Sequence, residues 1–390
     1  MRRLTPRQRS FAALSAATAM NLPFGTIYAF SVFLKPMESL MAIGRAEMTL
    51  VFGLAACSLT LGMNLAPLLY RSLPPSTLIA IAGACSAAGL LMTAQATGLP
   101  ELALGYGVLF GLGGGVGFIV VQQGVNQTMQ ARIGLVNGYV IALYPLGAMI
   151  GAPLFGWAIA AYGLRPTLTA LTLTVLAASL LSAALLRLAD IRMHDATVTS
   201  MADHEPQWSI FLRLFGVFFL AAAAGLMVMS QAAGIVQAYG GQLMMALAAT
   251  TVITGAIAVA RLAGGWLVDH FAARQVAAGA HLFSLTGAVA LSVWPTPWVA
   301  VASLAMIGMG YGVISGSTAG AIARYWHRNA FGRIASRLYI AWCVAAVSLP
   351  VLSGWLFDQT QGYATAVMIA AGGNVLGAML SLTLPESHDA

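Results

Sequence analysis

One basic residue stands well inside a long apolar stretch of the sequence. Arg261 follows the stretch 250–260 and precedes the stretch 262–268. A charge at bilayer depth is costly, so it normally faces a water-filled pathway or a partner group. Arginine stays charged, and its planar fork of N–H donors matches the two oxygens of a carboxylate. Arg261 therefore predicts a site that binds an anion.

The acidic residues of the chain lie at the ends of its apolar stretches or in its loops, so no Asp or Glu is placed to neutralise Arg261 at depth. The nearest along the same stretch is Asp269, eight residues away, which is about 12 Å along a helix. Direct pairing of the two would require a bend. We therefore expect a substrate to supply the anion, and pairing with Asp269 is the alternative.

The composition excludes a water-soluble protein. Of the 390 residues, 59% are hydrophobic and only 7% are charged, whereas a soluble domain averages about 25% charged residues. The three cysteines lie in apolar runs without a CxxC or Cys/His companion, so neither a disulfide framework nor a metal site is expected. The net charge of +7 is scattered over short loops, so nucleic acid is not an expected partner. The expected surroundings are the lipid bilayer.

Twelve continuous apolar segments fit an all-α membrane protein. Each is long enough to cross about 30 Å of hydrocarbon as a helix, and none shows the ten-residue alternation of a membrane β-barrel. The first runs past the length of a signal sequence, so we expect an uncleaved helix. The predicted spans are 11–34, 47–69, 77–97, 101–124, 134–160, 166–187, 209–237, 243–267, 276–294, 297–323, 334–356 and 363–384.

The basic residues indicate the orientation of these spans. With the N-terminus in the cytoplasm, fourteen of the 18 Arg and Lys fall on the inner side, three fall outside, and Arg261 lies within a span. This positive-inside bias predicts that both termini are cytoplasmic. A polar linker, 189–208, separates a six-span half, 1–188, from a second, 209–390, which is typical of a transporter built from parallel repeats.

The sequence resembles the major facilitator superfamily. That family carries a Gly-x-x-x-Asp-Arg-x-Gly-Arg-type loop between the second and third helices of each half, and the second half here keeps Gly265, Asp269 and Arg274 of it. The resemblance implies a charged gating loop at these three residues. In the first half the matching stretch, 66–71, has lost its Gly and its Asp, so the charged gate is not expected there.

A narrower resemblance is to the oxalate/formate antiporter and monocarboxylate transporter branch. It rests on Tyr28 to Pro36, on the glycine-rich run Tyr106 to Phe118, on Arg261, and on Tyr339 to Ala346. The resemblance implies that Arg261 binds a substrate carboxylate and that Tyr28 and Tyr144 line the cavity. Oxalate-type relatives carry a Lys where Trp342 stands here. We therefore expect Trp342 to form an aromatic wall of the substrate site, which suits a monoanion with an apolar or hydroxylated tail and disfavours a dicarboxylate.

Further polar residues inside the predicted spans could complete the site, although helix–helix contacts explain them equally well. Those retained as candidates for substrate binding are Asn21, Tyr311 and Tyr339. His281 could titrate near neutral pH and relay protons, but it lies in the ninth predicted span, which is peripheral in the fold that the resemblance implies. Glycines crowd the fourth and tenth predicted spans, where small residues allow helices to approach closely and slide.

These features predict a secondary active or facilitative transporter of small organic anions, above all monocarboxylates, that works by alternating access as a monomer. An exporter of neutral or cationic amphiphiles is the alternative within transport. A membrane enzyme or a receptor is disfavoured because the sequence has no catalytic constellation and no large soluble domain. Neither a cofactor nor a catalytic residue is expected. The near absence of Lys and the short loops favour a bacterial inner membrane, whereas proton symport, exchange and uniport all stay open.

Overall fold

A computed structural model describes residues 4–42, 45–70, 72–129, 131–193 and 207–385, and every regular element among them is helical. Arg71 and the linker histidines His194 and His204 lie outside the described residues. The membrane-crossing helices are α1 (Pro6–Ala29 and Val32–Met41), α2 (Arg45–Leu69), α3 (Pro75–Gln95), α4 (Leu99–Thr128), α5 (Ile133–Tyr162), α6 (Leu164–Leu188), α7 (Gln207–Ala238), α8 (Leu243–His270), α9 (Ala273–Val293), α10 (Pro297–Tyr325), α11 (Phe331–Thr360) and α12 (Ala364–Leu382).

The number of spans agrees with the prediction. Among the described residues, eleven helices are long and apolar enough to cross a membrane, and α1 is the twelfth when its two parts count as one bent span. Most helices extend a few residues beyond the predicted ends, as α4 does on both sides. About 20 residues suffice to cross the hydrocarbon, so the extra turns continue into the polar flanks, where hydropathy alone gives no signal.

The bend in α1 was not predicted from the sequence. The two parts of α1 meet at 64°, after Pro23 and a 3₁₀ segment at Gly25–Ala29. A proline inside a helix removes one backbone hydrogen bond and disfavours straight continuation. Gly25 also lets α1 touch α5, because a methyl group there would overlap the carbonyl oxygen of Tyr144. The bend therefore brings Tyr28, in the 3₁₀ segment, next to α5.

The helices form two compact units. The first comprises Met1–Ala131, Leu143–Thr197 and His327–Tyr339, and the second comprises Arg132–Ala142, Val198–Trp326 and Ile340–Ala390. The beginning of α5 thus belongs to the second unit, and the beginning of α11 belongs to the first. A domain boundary at the linker 189–208 stays a prediction.

The two units repeat the same pattern of helix packing. In the first, α4 packs against α1, α2 and α3, while α6 packs against α1 and α3. In the second, α10 packs against α7, α8 and α9, while α12 packs against α7 and α9. Adding six to each helix number converts one set of pairs into the other. This is the parallel repeat expected from the sequence, with the glycine-rich helices α4 and α10 in matching places.

Glycines place α2 directly against α4 in the first unit. A methyl group on Gly62 would overlap the carbonyl oxygen of Leu112, and one on Gly115 would overlap that of Leu59. The two backbones are therefore in contact at two successive points, which only residues without a Cβ atom allow.

The second unit repeats this contact between α8 and α10. Gly264 meets the carbonyl oxygen of Val313, and Gly316 meets that of Arg261. The repeat therefore aligns Arg261 with Leu59, an apolar residue that is 4% exposed. Arg261 has no charged counterpart in the first half, which indicates a function specific to the second.

We expect that Gly316→Ala lowers the thermal stability of the detergent-solubilised protein. The added methyl group would overlap the Arg261 carbonyl oxygen, and overpacking of this kind costs about 1–3 kcal/mol. Gly279→Ala in α9 is the matched control, because its methyl group would meet no atom within 4 Å. Differential scanning fluorimetry compares the two variants. A melting temperature of Gly316→Ala equal to that of Gly279→Ala would contradict the proposed close contact.

Candidate functional site

Arg261 lies deep inside the second unit, on α8, with only 2% of its surface exposed. Its Nη1 donates a hydrogen bond to the carbonyl oxygen of Ile141 on α5, 3.0 Å away, and its Nη2 donates to the hydroxyl of Tyr311 on α10, also 3.0 Å away. The guanidinium carbon also stands 5.4 Å from the centre of the Tyr311 ring, within range of a cation–π interaction. Groups from two neighbouring helices, α5 and α10, therefore fix the plane of the guanidinium.

Asp269 is directed at α5 and not at Arg261. Its two carboxylate oxygens accept hydrogen bonds from the backbone N–H groups of Gly134 and Leu135, at 2.7 and 2.8 Å. A carboxylate at a helix N-terminus satisfies amides that have no partner within the helix and interacts favourably with the helix dipole. This arrangement removes the alternative in which Asp269 neutralises Arg261.

Of the other two residues of the predicted gating loop, Gly265 lies beside this contact. Gly265 allows α8 to approach α5, because a methyl group there would overlap the carbonyl oxygen of Gly134. Arg274 is half-buried in the first turn of α9. Gly265 and Asp269 therefore act together on the beginning of α5, within the second unit.

Neutral groups hold the beginning of α11 in the first unit. The side-chain oxygen of Gln123 on α4 accepts a hydrogen bond from the backbone N–H of Gly332, at 2.7 Å, and the amide of Asn64 on α2 donates to the carbonyl oxygen of Ser336, at 3.0 Å. Burial raises the pKa of the neighbouring Tyr70 hydroxyl well above its ordinary value, so that group is neutral as well. These contacts involve no charged side chain, and the expected lack of a charged gate in the first half stays a prediction.

An aromatic cluster in the first unit contains three of the predicted site residues. Tyr28 and Tyr144 meet edge to face, with ring centres 6.2 Å apart. Phe118 contacts both Tyr144 and Tyr339 in the same manner, at 5.4 and 5.6 Å. The side-chain amide of Gln122 donates to the Tyr339 hydroxyl at 3.3 Å. The Tyr144 hydroxyl is buried and has no hydrogen-bond partner within the part of the chain that the structure describes.

The remaining predicted site residues are buried, in different places. Asn21 is completely buried on α1, and Trp342 is 8% exposed on α11. Of the predicted residues, the second unit therefore brings together Arg261 and Tyr311, and the first brings together Tyr28, Tyr144 and Tyr339.

Two contributors to these groups were missed from the sequence. The carbonyl oxygen of Ile141 is a backbone atom, so its contact with Arg261 cannot be predicted from the residue type. The position of Phe118 gave a sign of its place in the cluster, because Phe118 lies four residues before Gln122 and therefore on the same helix face. An aromatic residue in a glycine-rich span, however, is equally typical of the apolar core.

His281 is a packing residue of the second unit. Its ring is completely buried, and its Nδ1 lies 2.9 Å from the side-chain oxygen of Asn374 on α12. A methyl group on Gly377 would overlap the imidazole. His281 therefore joins α9 to α12, and its predicted role as a proton relay stays a prediction. The described residues contain no group of three His, Cys, Asp or Glu side chains that could hold a metal ion.

Solved structures provide the deciding comparison. The proton:xylose symporter XylE of the major facilitator superfamily, solved with 6-bromo-6-deoxy-D-glucose, superimposes with a TM-score of 0.77 over 98% of this chain and 97% of that one, at 15% identity. The chain has the major facilitator fold. FucP, solved in an outward conformation, matches this fold with a TM-score of 0.69 over 97% of this chain and all of the other, at 12% identity. Together with the apolar helices, the fold defines an integral membrane protein.

Sequence comparison gives a narrower similarity. Monocarboxylate transporter 13 of Rattus norvegicus is 26% identical over 155 residues, which cover 40% of this chain and 36% of that protein. The chain thus matches about a third of this relative's length. No protein-family model matches the chain. The resemblance to the major facilitator superfamily is confirmed for the fold, and the match to a monocarboxylate transporter agrees with the narrower branch.

Proposed function

We propose that the protein transports small monocarboxylates across a bilayer by alternating access, with Arg261 as the group that binds the carboxylate. The observation that carries this proposal is a buried guanidinium, held in one orientation by Ile141 and Tyr311. An anion that reaches a cation at this depth stabilises it, because electrostatic attraction is stronger where water is excluded. The major facilitator fold and the similarity to a monocarboxylate transporter support the same conclusion.

The orientation of Arg261 favours recognition of a flat carboxylate. A guanidinium carries five N–H donors in one plane, and a carboxylate accepts two parallel hydrogen bonds in that plane. Because Tyr311 and Ile141 fix the plane before the substrate arrives, less side-chain entropy is lost on binding. In this proposal Tyr311 positions Arg261, and its hydroxyl forms part of the wall around the carboxylate.

The aromatic cluster suits the tail of the substrate. Tyr28, Tyr144 and Tyr339 combine large apolar faces with hydroxyl tips, and the Tyr144 hydroxyl has no hydrogen-bond partner among the described residues. In this proposal a short tail that is apolar or carries one hydroxyl group suits such side chains, and Asn21 in the first unit and Trp342 in the second are further candidates for contact with it. One central cation leaves a second carboxylate poorly compensated, so dicarboxylates should bind weakly.

The proposed transport cycle uses the small-residue contacts as sliding surfaces. Backbones that touch at glycines, as α8 and α10 do at Gly316, can shift without displacing bulky side chains. Asp269 would then hold or release the beginning of α5 as the cycle proceeds. We further propose that the protein acts as a monomer in a bacterial inner membrane. The distribution of basic residues supports cytoplasmic termini.

Uptake into proteoliposomes tests the substrate class. We expect saturable uptake of labelled lactate and formate, and oxalate uptake that is slower by about tenfold or more, since an uncompensated buried charge costs at least 1–3 kcal/mol. Xylose and a lipophilic cation serve as the neutral and cationic test solutes. Transport of either one without lactate transport would replace the proposal by an exporter of neutral or cationic solutes. Oxalate uptake as fast as lactate uptake would contradict the role given to Trp342.

A further inference from the structure

A deep apolar groove opens on the first unit between α1, α5 and α6. Its volume is about 520 Å³, within the range of small-molecule sites. Its lining is apolar almost throughout and includes Leu22, Thr26, Gly147, Leu154, Trp157 and Leu171. Its lining residues belong to the first unit, whereas Arg261 belongs to the second. Nothing in the proposed transport function accounts for it.

The shape of the groove follows from small residues between large ones. At its floor α1 and α5 touch, because a methyl group on Gly147 would overlap the carbonyl oxygen of Leu22. Farther along α5 and α6, Gly151, Ala158 and Ala170 leave the space open. The lining lacks charged side chains, so a small carboxylate would find no cation to hold it there.

The rim of the groove is apolar and exposed. Ile150, Leu154 and Trp157 of α5 are 55%, 53% and 59% exposed, and all three lie inside a membrane-crossing helix. Exposed apolar side chains on a membrane-crossing helix are suited to contact with lipid tails. The rim is therefore chemically suited to lipid and not to water.

One end of the groove has the features of a lipid headgroup region. Trp157 and Tyr162 meet edge to face with ring centres 5.7 Å apart, at the end of α5, and aromatic residues of this kind gather at membrane interfaces. Arg165 follows in the first turn of α6 and is exposed, between the lining residues Tyr162 and Pro166. A basic residue at an interface attracts anionic lipid headgroups.

We propose that this groove binds one acyl chain of an anionic phospholipid whose phosphate group contacts Arg165. The volume suits a single flexible chain, whereas a helix of a second protein is about 10–12 Å wide with its side chains and cannot enter. The lipid would lie behind the contact of α1 with α5, since Thr26 and Gly147 of the lining stand two and three residues from Tyr28 and Tyr144. Its binding does not depend on which solute is transported.

Quenching of tryptophan fluorescence by phosphatidylglycerol brominated on its acyl chains tests this proposal. The signal of Trp157 is the difference between the wild-type protein and Trp157→Phe, both reconstituted in phosphatidylcholine vesicles. We expect this signal to be quenched at a small mole fraction of the brominated lipid. In Ala158→Phe, which fills the groove, quenching should need a larger fraction. Ala160→Phe, on the same helix but outside the lining, is the control for surface changes.

The headgroup contact is tested separately. We expect Arg165→Gln to raise the half-quenching mole fraction of phosphatidylglycerol about fivefold, the effect of one Arg near an anionic lipid, and to leave quenching by brominated phosphatidylcholine unchanged. Arg192→Gln, a change at an exposed arginine elsewhere in the first unit, should leave both unchanged. Equal quenching curves for Ala158→Phe and Ala160→Phe, or for Arg165→Gln and Arg192→Gln, would mean that the groove meets only ordinary bulk lipid and would overturn the proposal.

Discussion

Arg261→Ala is expected to remove most lactate uptake in proteoliposomes at the lactate concentration that half-saturates the wild-type protein. Removing one partner of a buried, hydrogen-bonded charge pair costs about 2–5 kcal/mol, so the half-saturating lactate concentration should rise by about thirtyfold or more. The substitution also leaves the carbonyl oxygen of Ile141 and the hydroxyl of Tyr311 without the donors they now have. Uptake is measured with labelled lactate at increasing concentrations, in vesicles that hold matched amounts of each variant.

Two further variants separate the charge of Arg261 from its geometry. Arg261→Lys keeps the positive charge but loses the planar fork, so we expect residual lactate uptake with weaker apparent affinity. Tyr311→Phe keeps the aromatic ring beside the guanidinium and removes only the hydroxyl acceptor. Because a single hydrogen bond to a charged group contributes about 1.5–3 kcal/mol, its effect should be smaller than that of Arg261→Ala.

A failure to fold must not be mistaken for a failure to bind. Each variant should elute as a single peak in detergent, and its melting temperature should be compared with that of the wild-type protein. If well-folded Arg261→Ala took up lactate normally, Arg261 would have no role in substrate binding. The proposed mechanism would then be wrong, and only the assignment of the fold would stand. If the maximal rate of lactate uptake fell while the half-saturating lactate concentration stayed at the wild-type value, Arg261 would serve the conformational cycle and not carboxylate recognition.

The membrane-crossing helices could be predicted from the sequence because the lipid bilayer imposes a simple rule. Every membrane-crossing segment must be a long apolar helix, so continuous hydropathy located all twelve. The bend of α1 was missed, although Pro23 and Gly25 were local signs of it. Its geometry depends on the contact of Gly25 with the carbonyl oxygen of Tyr144, which is distant in sequence and therefore invisible in the local pattern.

The candidate site was predictable for residues whose type is costly in a membrane. Arg261 stood out because no apolar segment tolerates a charge without a reason. The partner of Arg261 on α5 could not be found in this way, since it is the backbone of Ile141. Resemblance to known transporters supplied Tyr28 and Tyr144 as cavity residues, and the edge-to-face contact between them came only from the fold.

Asp269 shows how a motif recognised in sequence can act through the backbone of another helix. The two oxygens of Asp269 accept hydrogen bonds from Gly134 and Leu135, and Gly265 allows the close approach that these bonds need. At the beginning of α11, the neutral side chain of Gln123 accepts the corresponding bond from Gly332. Because charge-assisted hydrogen bonds are the stronger kind, the beginning of α5 should be held more firmly than that of α11.

Hydrogen–deuterium exchange measures the effect of Asp269 directly. In Asp269→Ala the amides of Gly134 and Leu135 lose their hydrogen-bond acceptor. A hydrogen bond to a charged group contributes about 1.5–3 kcal/mol to stability. Exchange in the peptide that covers 132–142 should therefore speed up about tenfold to a hundredfold. Asp269→Asn retains one acceptor oxygen, so an intermediate increase is expected. Lactate uptake should also change in rate, while its half-saturating concentration stays near that of the wild type.

Asp190→Asn provides the matched control for this experiment. Asp190 is exposed and pairs with Arg192 in the first unit, so its substitution should leave exchange over 132–142 unchanged. The same measurement over 331–338, where Gln123 accepts from Gly332, should not respond to Asp269→Ala. If exchange over 132–142 stayed at the wild-type rate in Asp269→Ala, other contacts would suffice to fix the beginning of α5. Asp269 could then not act as a gate, whatever the family motif implies.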